Sequence, residues 1–379
     1  MRPPRADEED DWIRLARSEN VGAATFHDLV ARCGSAAAAL EMMPELATRG
    51  GARRPLRIAS RDVAAHERAA AKRLGARHVF LGSALYPPRL ARIHAPPPVI
   101  MVRGDPALLS RRAIAVVGSR RASAAGRTMA WTLAEAFAAA ERVVVSGLAL
   151  GIDGEAHRAA LAGGTVAVIA GGIDRPTPEE HLELAEEIAE RGALVSEMPM
   201  GWAPFARDFP RRNRLIAGLS EGVVVVEAAA RSGALHTARY ALDQNREVFA
   251  VPGSPLDPRA AGALALLRDG ATMVIEPRDV LDALGSEATT LPLGFDEPPA
   301  PFEAGPLGAG GFAAGVAGAA ERVADALSLT PVSHDALVRA TGLAAGAVAA
   351  AVVELELAGR AEREGDGRVR LSLADRGSR

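Results

Sequence analysis

The sequence predicts an α/β protein: an extended Rossmann-like, doubly wound sheet flanked by a small N-terminal helical domain and a C-terminal winged-helix-like domain. Three observations support this fold class. From Ala113 onward, short Val/Ile/Leu runs alternate with helical stretches, a pattern typical of parallel strands buried on both faces. From Asp10 to about Ala70 the apolar residues show helical spacing. The chain after residue 318 combines three helical segments with two short strands.

Residues 1–75 are predicted to form the helical domain, resembling a SAM or helix-hairpin-helix domain. Its apolar residues recur at helical spacing, and Gly22 and Gly34 separate the helices. The turn from Asn20 to Phe26 admits two interpretations, an ordinary helix connection or a hairpin whose backbone contacts DNA. We favour the ordinary connection.

Residues 80–284 are predicted to form the Rossmann-like domain, in which strands and helices alternate. The predicted strands are 113–117, 143–145, 165–169, 193–195, 222–226, 247–251 and 272–275. The predicted helices are 124–140, 154–162, 178–191, 211–219, 233–244 and 262–268.

A stretch rich in Gly, Pro and Ala, residues 285–317, has no periodicity and is predicted to be a flexible linker. Residues 318–373 then resemble a winged helix-turn-helix. The third predicted helix of this domain, 344–358, contains no Lys or Arg and carries Glu354 and Glu356, whereas a helix that reads the major groove brings cationic and amide side chains to the bases. We therefore favour a protein-contact or regulatory role for this domain over sequence-specific DNA reading.

Composition narrows the functional classes. With 379 residues the chain is long enough for two or three domains, and its net charge of −3 means that any nucleic-acid contact depends on a local basic patch. A single cysteine, Cys33, excludes an intrachain disulfide and a multi-cysteine metal site. The histidines lack metal-ligand spacing, so neither a metal nor a cofactor is expected. Without a signal-like N-terminus or a membrane-spanning run, we expect a cytoplasmic protein without a membrane partner.

The segment from Trp202 to Arg214 is the strongest functional signal. It places three aromatic rings and four arginines within thirteen positions of a chain that is only 4% aromatic. Rings provide stacking surfaces for bases and arginines neutralise phosphates, as single-stranded nucleic acid requires. The alternative is a plain helix start at Pro210, with Phe209 as a hydrophobic staple and the arginines in solvent. Arginines in a first helical turn oppose the helix dipole, which favours a bound anion.

Loops of small residues follow several predicted strands, among them Gly118-Ser119-Arg120 and Ser146-Gly147. In an open parallel sheet these carboxyl ends line one crevice, where glycine lets phosphate approach backbone N–H groups. Neither a P-loop nor a Gly-x-Gly-x-x-Gly sequence is present. Asp153 and His157 allow an acid-base pair with Ser146, but a helix cap at Asp153 and a local bond of His157 are the favoured interpretation.

Together the motifs resemble the DNA-processing protein DprA family, also called Smf, over the central domain from about Tyr86 to Leu284. They are Val116-Val-Gly-Ser-Arg120, Ser146-Gly-Leu-Ala-Leu-Gly-Ile-Asp153, Phe209-Pro-Arg-Arg-Asn-Arg-Leu-Ile-Ala-Gly-Leu-Ser220, Val226-Glu-Ala228, Ser232-Gly-Ala-Leu-His-Thr-Ala238 and Arg246-Glu-Val-Phe-Ala-Val-Pro-Gly253. The two flanking domains also agree with longer members of that family.

The resemblance implies a protein that binds single-stranded DNA through its Rossmann domain, forms a homodimer, protects incoming DNA and helps to load RecA recombinase in natural transformation. It implies no catalytic residue. Carried over by position, the DNA-binding residues are Gly118, Ser119, Arg120, Ser146, Gly147, Arg207, Phe209, Arg211, Arg212, Asn213 and Arg214. In this assignment Phe209 lies beside a base, the arginines contact phosphates, and Ser146 and Gly147 add backbone contacts. Trp202 and Phe205 are expected to be packing residues.

A nucleotide-cleaving phosphoribohydrolase on a similar fold is the alternative. Those enzymes carry a Pro-Gly-Gly-x-Gly-Thr-x-x-Glu signature, and the sequence Pro252-Gly253-Ser254-Pro255 does not continue into it.

Overall fold

A computed structural model describes residues 1–285, 318–364 and 367–372. These residues form two compact units. Met1–Pro4 and Ala65–Gly285 make up the first, and Arg5–Ala64 and the described part of 286–379 make up the second. The N-terminal helices therefore share a unit with the C-terminal domain. Apart from Gly285, the predicted linker 285–317 lies outside the described residues.

The helices and strands of both units are as follows. The helices are α1 Glu9–Arg17, α2 Ala23–Cys33, α3 Ala36–Arg49, α4 Arg61–Arg73, α5 Ala124–Ala139, α6 Ile152–Ala160, α7 Leu182–Arg191, α8 Asp208–Leu219, α9 Gly233–Asp243, α10 Ala261–Arg268, α11 Pro277–Ala283, α12 Ala319–Ala326, α13 His334–Thr341 and α14 Ala345–Leu357. The strands are β1 Ala76–Phe80, β2 Val99–Gly104, β3 Ala113–Val117, β4 Val143–Ser146, β5 Thr165–Val168, β6 Ala193–Ser196, β7 Gly222–Val225, β8 Glu247–Ala250, β9 Thr272–Met273, β10 Ala361–Arg363 and β11 Val369–Leu371.

The first unit is built on a nine-stranded sheet in the order β1-β2-β6-β5-β4-β3-β7-β8-β9. Strands β3 to β9 are parallel, while β1 and β2 add an antiparallel edge beside β6. The strand order reverses around β3, which has β4 on one side and β7 on the other. This arrangement confirms the predicted doubly wound, Rossmann-like sheet.

Burial explains why the sequence folds this way. All residues of β3, β4, β5, β6 and β7 are buried, as expected for parallel strands covered by helices on both faces. On one face Ile114, Val116 and Phe249 pack with Phe137 of α5. Further along the same face, Ala167 and Leu194 belong to a cluster with residues of α7. The seven predicted strands agree with β3 to β9 within two residues at their ends.

The sequence-based prediction missed β1 and β2. Their antiparallel pairing places them outside the strand-helix alternation by which the other strands were recognised. Prolines also surround β2, with Pro96, Pro97 and Pro98 directly before it, and proline clusters are more typical of loops than of strands.

The second unit contains the N-terminal helices and the winged-helix domain. Trp12 of α1 and Phe26 of α2 are buried against each other, with ring centroids 5.1 Å apart. In the C-terminal part, helices α12 to α14 pack with the β10–β11 hairpin, and Val323, Leu337 and Leu355 lie in their shared core. The helical domain and the winged-helix domain are thus confirmed as elements of the fold.

Among the described helices, none is by itself long and apolar enough to cross a membrane. The pair His334–Thr341 and Ala345–Leu357 meets the length and composition criteria only together, with a bend of 109° between its two members.

Candidate nucleic-acid interface

Helix α8 begins at the carboxyl ends of the parallel strands and then lies on one face of the sheet. It follows β6 and leads to β7, which lies beyond β3 in the sheet, so the helix crosses β5, β4 and β3 and contacts all three. Loops after these strands therefore meet the first turn of α8. We call the surface formed by the β3–α5 loop, residues 118–121, and by residues 202–211 the strand-end rim.

Arg212 anchors α8 to this edge of the sheet. Its Nη1 donates to the carbonyl oxygen of Gly147 at 2.6 Å and also to that of Val168, at the ends of β4 and β5. The side chain is buried, and burial lowers the pKa of the guanidinium to about 10, against the opposing effect of Asp153. Arg212 therefore fixes the position of the helix start.

The next two residues are buried as well. The Asn213 amide donates to the carbonyl oxygen of Gly233 at 3.2 Å. Arg214 pairs with Glu197, Nη2 to Oε1 at 2.6 Å, and donates to the carbonyl oxygen of Ala95. The sequence predicts Arg212 and Arg214 on phosphates, with Asn213 in the same DNA-binding segment. The structure instead places them inside the unit, because α8 lies on the sheet and these side chains satisfy backbone carbonyls and a buried carboxylate.

The Ser146-Gly147 loop is likewise occupied by internal hydrogen bonds. Ser146 is fully buried and its hydroxyl donates to the carbonyl oxygen of Val116 at 2.6 Å. The Gly147 N–H donates to Asp153 Oδ2 at 3.1 Å, and its carbonyl accepts from Arg212. The Gly147 N–H is therefore not free for the expected contact with DNA. Ser146 and Gly147 instead hold the loop in place.

Asp153 and His157 have structural roles, but Asp153 is not the predicted helix cap, because α6 begins after Gly151 without a side-chain cap hydrogen bond. Asp153 accepts from the N–H groups of Gly147 and Ala149, and burial raises the pKa of its carboxyl. His157 Nδ1 lies 2.7 Å from Thr165 Oγ1, whose hydrogen is donated to the carbonyl oxygen of Val144. Nδ1 is therefore the protonated nitrogen, and it bonds to Thr165.

Four arginines on the strand-end rim are exposed: Arg120, Arg121, Arg207 and Arg211. Arg120 follows the half-buried Gly118 and Ser119 at the end of β3, and Arg207 and Arg211 flank the start of α8. Nη2 of Arg211 lies 3.6 Å from Oε1 of the buried Glu197, which also pairs with Arg214. The rim thus exposes cationic groups to solvent. The buried Arg212 and Arg214 of the same segment hold α8 in position through hydrogen bonds inside the unit.

Glycine is required where the loops of the rim meet. Gly151 has φ of 79°, and a Cβ there would overlap the Ser119 carbonyl oxygen. The Ile152 N–H donates to that same oxygen at 3.2 Å. A Cβ at Gly118 would lie 2.7 Å from a side-chain carbon of Ile152. These close approaches hold the loops after β3 and β4 together and leave Arg120 projecting into solvent.

Two aromatic rings of the rim each carry a guanidinium. Arg120 Cζ lies 5.4 Å from the centroid of the half-buried Phe209 ring, and Arg207 Cζ lies 5.4 Å from the centroid of Phe205. Phe205 is 56% exposed, unusual for a phenylalanine, so its sequence-based assignment as a packing residue was wrong. The repeated spacing Phe-x-Arg, at Phe205 to Arg207 and Phe209 to Arg211, was the signal available in the sequence.

Trp202 is a packing residue, as predicted. Its indole Nε1 donates to Asp208 Oδ2 at 2.9 Å, and its ring meets Phe205 edge to face with centroids 5.8 Å apart. The Phe205 N–H donates to the same carboxylate oxygen at 2.9 Å. Asp208 therefore ties the exposed Phe205 to the start of α8.

A small pocket opens beneath the first turn of α8, at the ends of β5 and β6. It is lined by Ile169, Ala170, Glu197, Met198, Asp208, Arg211, Arg212 and Leu215. The pocket adjoins the rings and cations of the rim, so this surface combines a recess, the Phe205 and Phe209 rings and four exposed arginines.

The sequence matches three described protein families over nearly its whole length. Residues 77–285 match the family described as DNA recombination-mediator protein A. Residues 6–70 match the DprA-like N-terminal HHH domain, and residues 309–367 match the DprA winged helix domain. The three matches occur in the order in which the sequence analysis placed the domains.

Individual proteins show the same relationship. The chain is 43% identical over 219 residues to DNA processing protein DprA of Bacillus subtilis (strain 168), covering 57% of this chain and 74% of that protein. The crystal structure of DNA processing protein A from Streptococcus pneumoniae covers 76% of this chain and 100% of its own, with 31% identity and a TM-score of 0.62.

A second solved structure concerns the single-stranded DNA binding mode of DNA processing protein A from Helicobacter pylori. It covers 55% of this chain and 95% of its own, with 28% identity and a TM-score of 0.51. These relatives indicate a DNA-processing role in recombination. The chain belongs to the DNA recombination-mediator protein A family, that of the DNA-processing proteins called DprA or Smf.

Proposed function

We propose that this protein binds single-stranded DNA on the strand-end rim. The observation that carries the proposal is the pair of ring–guanidinium contacts, Arg120 with Phe209 and Arg207 with Phe205. Rings that accept stacked bases and cations that follow the backbone are the two requirements of sequence-tolerant single-strand binding. The Helicobacter pylori relative, whose structure concerns single-stranded DNA binding, supports the same ligand.

The roles of the predicted residues divide according to burial. Arg120, Arg207 and Arg211 contact phosphates, Phe209 and Phe205 stack on bases, and the Gly118-Ser119 turn lets the backbone approach. The remaining predicted residues position this surface from within the unit. They are Ser146, Gly147, Arg212, Asn213 and Arg214.

The experiment compares fluorescence anisotropy of labelled oligo-dT with that of a duplex of equal length at two salt concentrations. We expect tighter binding of oligo-dT, because unpaired bases can leave the helix stack and lie on the rings. Equal affinity for both, with the same salt dependence, would indicate a surface that recognises phosphates alone.

We further propose that the protein protects incoming DNA and helps to load RecA recombinase during natural transformation, inside the cytoplasm. Membership of a family of recombination mediators supports this role. The test is RecA-catalysed strand exchange on single strands already covered by single-strand-binding protein. We expect the wild-type protein to stimulate strand exchange and Phe209→Ala to lose this effect. If the wild-type protein gave no stimulation at any ratio of protein to RecA, RecA would be removed from the proposal.

A homodimer is the proposed assembly, and β9 is the proposed contact. This strand ends the sheet order, and Met273 and Ile275 beside it are 52% and 68% exposed. Exposed apolar side chains at a sheet edge favour pairing with a second copy. Sedimentation should report a dimer for wild type and a monomer for Ile275→Glu; a wild-type monomer at micromolar concentration would contradict this assembly.

We propose no catalytic turnover. The carboxylates at strand ends are engaged in internal pairs: Glu197 with Arg214, and Glu227 with the hydroxyl and the N–H of Ser123. Release of base from nucleoside monophosphates at enzyme-like rates would support the phosphoribohydrolase alternative instead.

A further inference from the structure

The third helix of the winged-helix domain, α14, is buried on two sides. Residues on one side, among them Val348, Val352 and Leu355, lie in the core of the winged-helix domain itself. Val353 and Leu357 are also buried but are not members of that core. A helix that is apolar on all sides needs a partner for each face, and the second partner here is the N-terminal helical domain.

Hydrogen bonds join this second face of α14 to the N-terminal helices. Thr25 Oγ1 of α2 donates to Glu356 Oε2 at 3.2 Å, and the Asn20 amide donates to the carbonyl oxygen of Leu357 at 3.0 Å. The Arg360 guanidinium, just after α14, donates to the Gly50 carbonyl oxygen at 3.2 Å. The contacts therefore extend from the start of α2 to the end of α3.

Charges on the two domains are complementary. Arg363 of β10 pairs with Glu356 of its own domain and with Asp28 of α2, with Nη2 2.9 Å from Asp28 Oδ2. Arg49 of α3 faces Glu354, with Nη1 and Oε1 3.8 Å apart. The acidic residues that make α14 unsuitable for a DNA groove are thus the groups that meet the N-terminal domain.

Gly50 shows how closely the two domains approach. Its φ is −72°, a conformation open to any residue, yet a Cβ at this position would overlap the Glu354 carbonyl oxygen. The backbone of the N-terminal domain itself therefore does not require glycine here. Only the close approach of α14 requires it.

We propose that α14, at the position of a winged helix that commonly reads DNA, is a protein-binding helix whose partner is the N-terminal helical domain of the same chain. The two terminal domains then act as one composite domain that holds the chain ends together. While they are docked, α14 is not available to a DNA groove. This role is independent of the strand-end rim.

The experiment uses the full chain with a site-specific protease sequence introduced within residues 286–317. After cleavage, size-exclusion chromatography at micromolar concentration reports whether the C-terminal fragment stays with the rest. We expect it to stay bound, with one C-terminal fragment for each N-terminal fragment. Loss of the fragment from wild type would overturn the proposal.

Gly50→Leu tests the interface itself, with Gly346→Leu as its control because a Cβ at Gly346 meets nothing within 4 Å. We expect Gly50→Leu to weaken retention roughly tenfold or more through overpacking, and the control to retain the fragment. Equal retention by wild type and Gly50→Leu would overturn the proposed interface.

A second variant guards against local unfolding caused by the larger side chain. Asp28→Lys places a cation beside Arg363, and Glu41→Lys makes the same kind of change at an exposed position of α3. The expected result is weaker retention for Asp28→Lys alone, with oligo-dT affinity unchanged in both. If Asp28→Lys left retention unchanged, the protein-binding role of α14 would be contradicted. The same would hold if undocking did nothing except allow α14 to bind duplex DNA.

Discussion

The guanidinium of Arg120 lies over the ring of Phe209, with Cζ 5.4 Å from the ring centroid. Arg120 belongs to the loop after β3, and Phe209 belongs to the first turn of α8, almost ninety positions later in the sequence. The doubly wound topology brings them together because α8 begins at the carboxyl ends of the strands, beside the loop after β3, and contacts β5, β4 and β3 on its way to β7. A cation and a ring are thereby combined on one exposed surface.

The first prediction concerns the rings. Phe209→Ala should weaken binding of oligo-dT at least several-fold, since stacking contributes on the order of 1–3 kcal/mol per base, and Phe205→Ala should act in the same direction. Fluorescence anisotropy measures both. Trp131→Ala removes another exposed ring, on α5, and serves as the control that should bind like wild type. If all three variants bound equally well, the rings would have no part in recognition.

The second prediction concerns the exposed cations. Removing one arginine–phosphate interaction should reduce the slope of log K against log salt by about 0.7 for a single strand. Arg120→Ala and Arg211→Ala should both show this reduction in titrations at several salt concentrations. Arg278→Ala, which removes an exposed arginine of α11, should leave the slope unchanged. The assignment fails if Arg278 contributes as much as the rim arginines.

The third prediction separates neighbouring arginines by their burial. Arg212→Ala removes the donor to the buried Gly147 and Val168 carbonyls, so the free energy of unfolding should fall by about 1–3 kcal/mol. Arg211→Ala changes an exposed side chain and should alter stability by less than about 0.5 kcal/mol. Urea denaturation measures both. Similar stability losses for the two variants would contradict the assigned burial.

The fourth prediction is a dependence of stability on pH through His157. Burial, followed by nearby cations, lowers the pKa of this imidazole from 6.5 to about 3 in the folded protein. The unfolded chain therefore binds more protons between these values, and stability is full above pH 6.5 and falls as the pH falls. From pH 7 to pH 5 the loss from this group is about 2 kcal/mol.

His157→Asn provides the comparison for this effect. The asparagine amide can still donate to Thr165 Oγ1, as the His157 Nδ1–H does, but it does not titrate. Urea midpoints of the variant should change less between pH 7 and pH 5 than those of wild type. If the urea midpoint of His157→Asn changed with pH as much as that of wild type, groups other than His157 would cause the pH dependence of stability.

The fold was predictable from sequence to the extent that local patterns report it. The apolar runs of β3 to β7 are buried on both faces and stand out against the helices between them. Strands β1 and β2 depend on antiparallel pairing with a distant strand, which leaves no alternation in the local sequence. The docking of α14 on the N-terminal helices also lies beyond local patterns, because it joins residues more than three hundred positions apart.

The candidate site was predictable as a segment but not residue by residue. Composition singled out the region from Trp202 to Arg214, yet nothing in the sequence distinguishes Arg211, which is exposed, from Arg212, which is buried. That difference arises from where the sheet lies relative to α8. The exposure of Phe205 has a similar origin, because the Asp208 carboxylate holds its backbone at the edge of the helix start.

We propose that bases of single-stranded DNA lie on the rings of the strand-end rim. Photo-crosslinking can show directly whether they do. Oligo-dT carrying 5-iodouracil is irradiated in complex with the full chain, and the crosslinked peptides are identified by mass spectrometry. If bases stack on the rim, crosslinks form at Phe205 and Phe209, and their yield is lower in Phe209→Ala. Crosslinks confined to α14 or to the N-terminal helices, with none between residues 202 and 211, would contradict it.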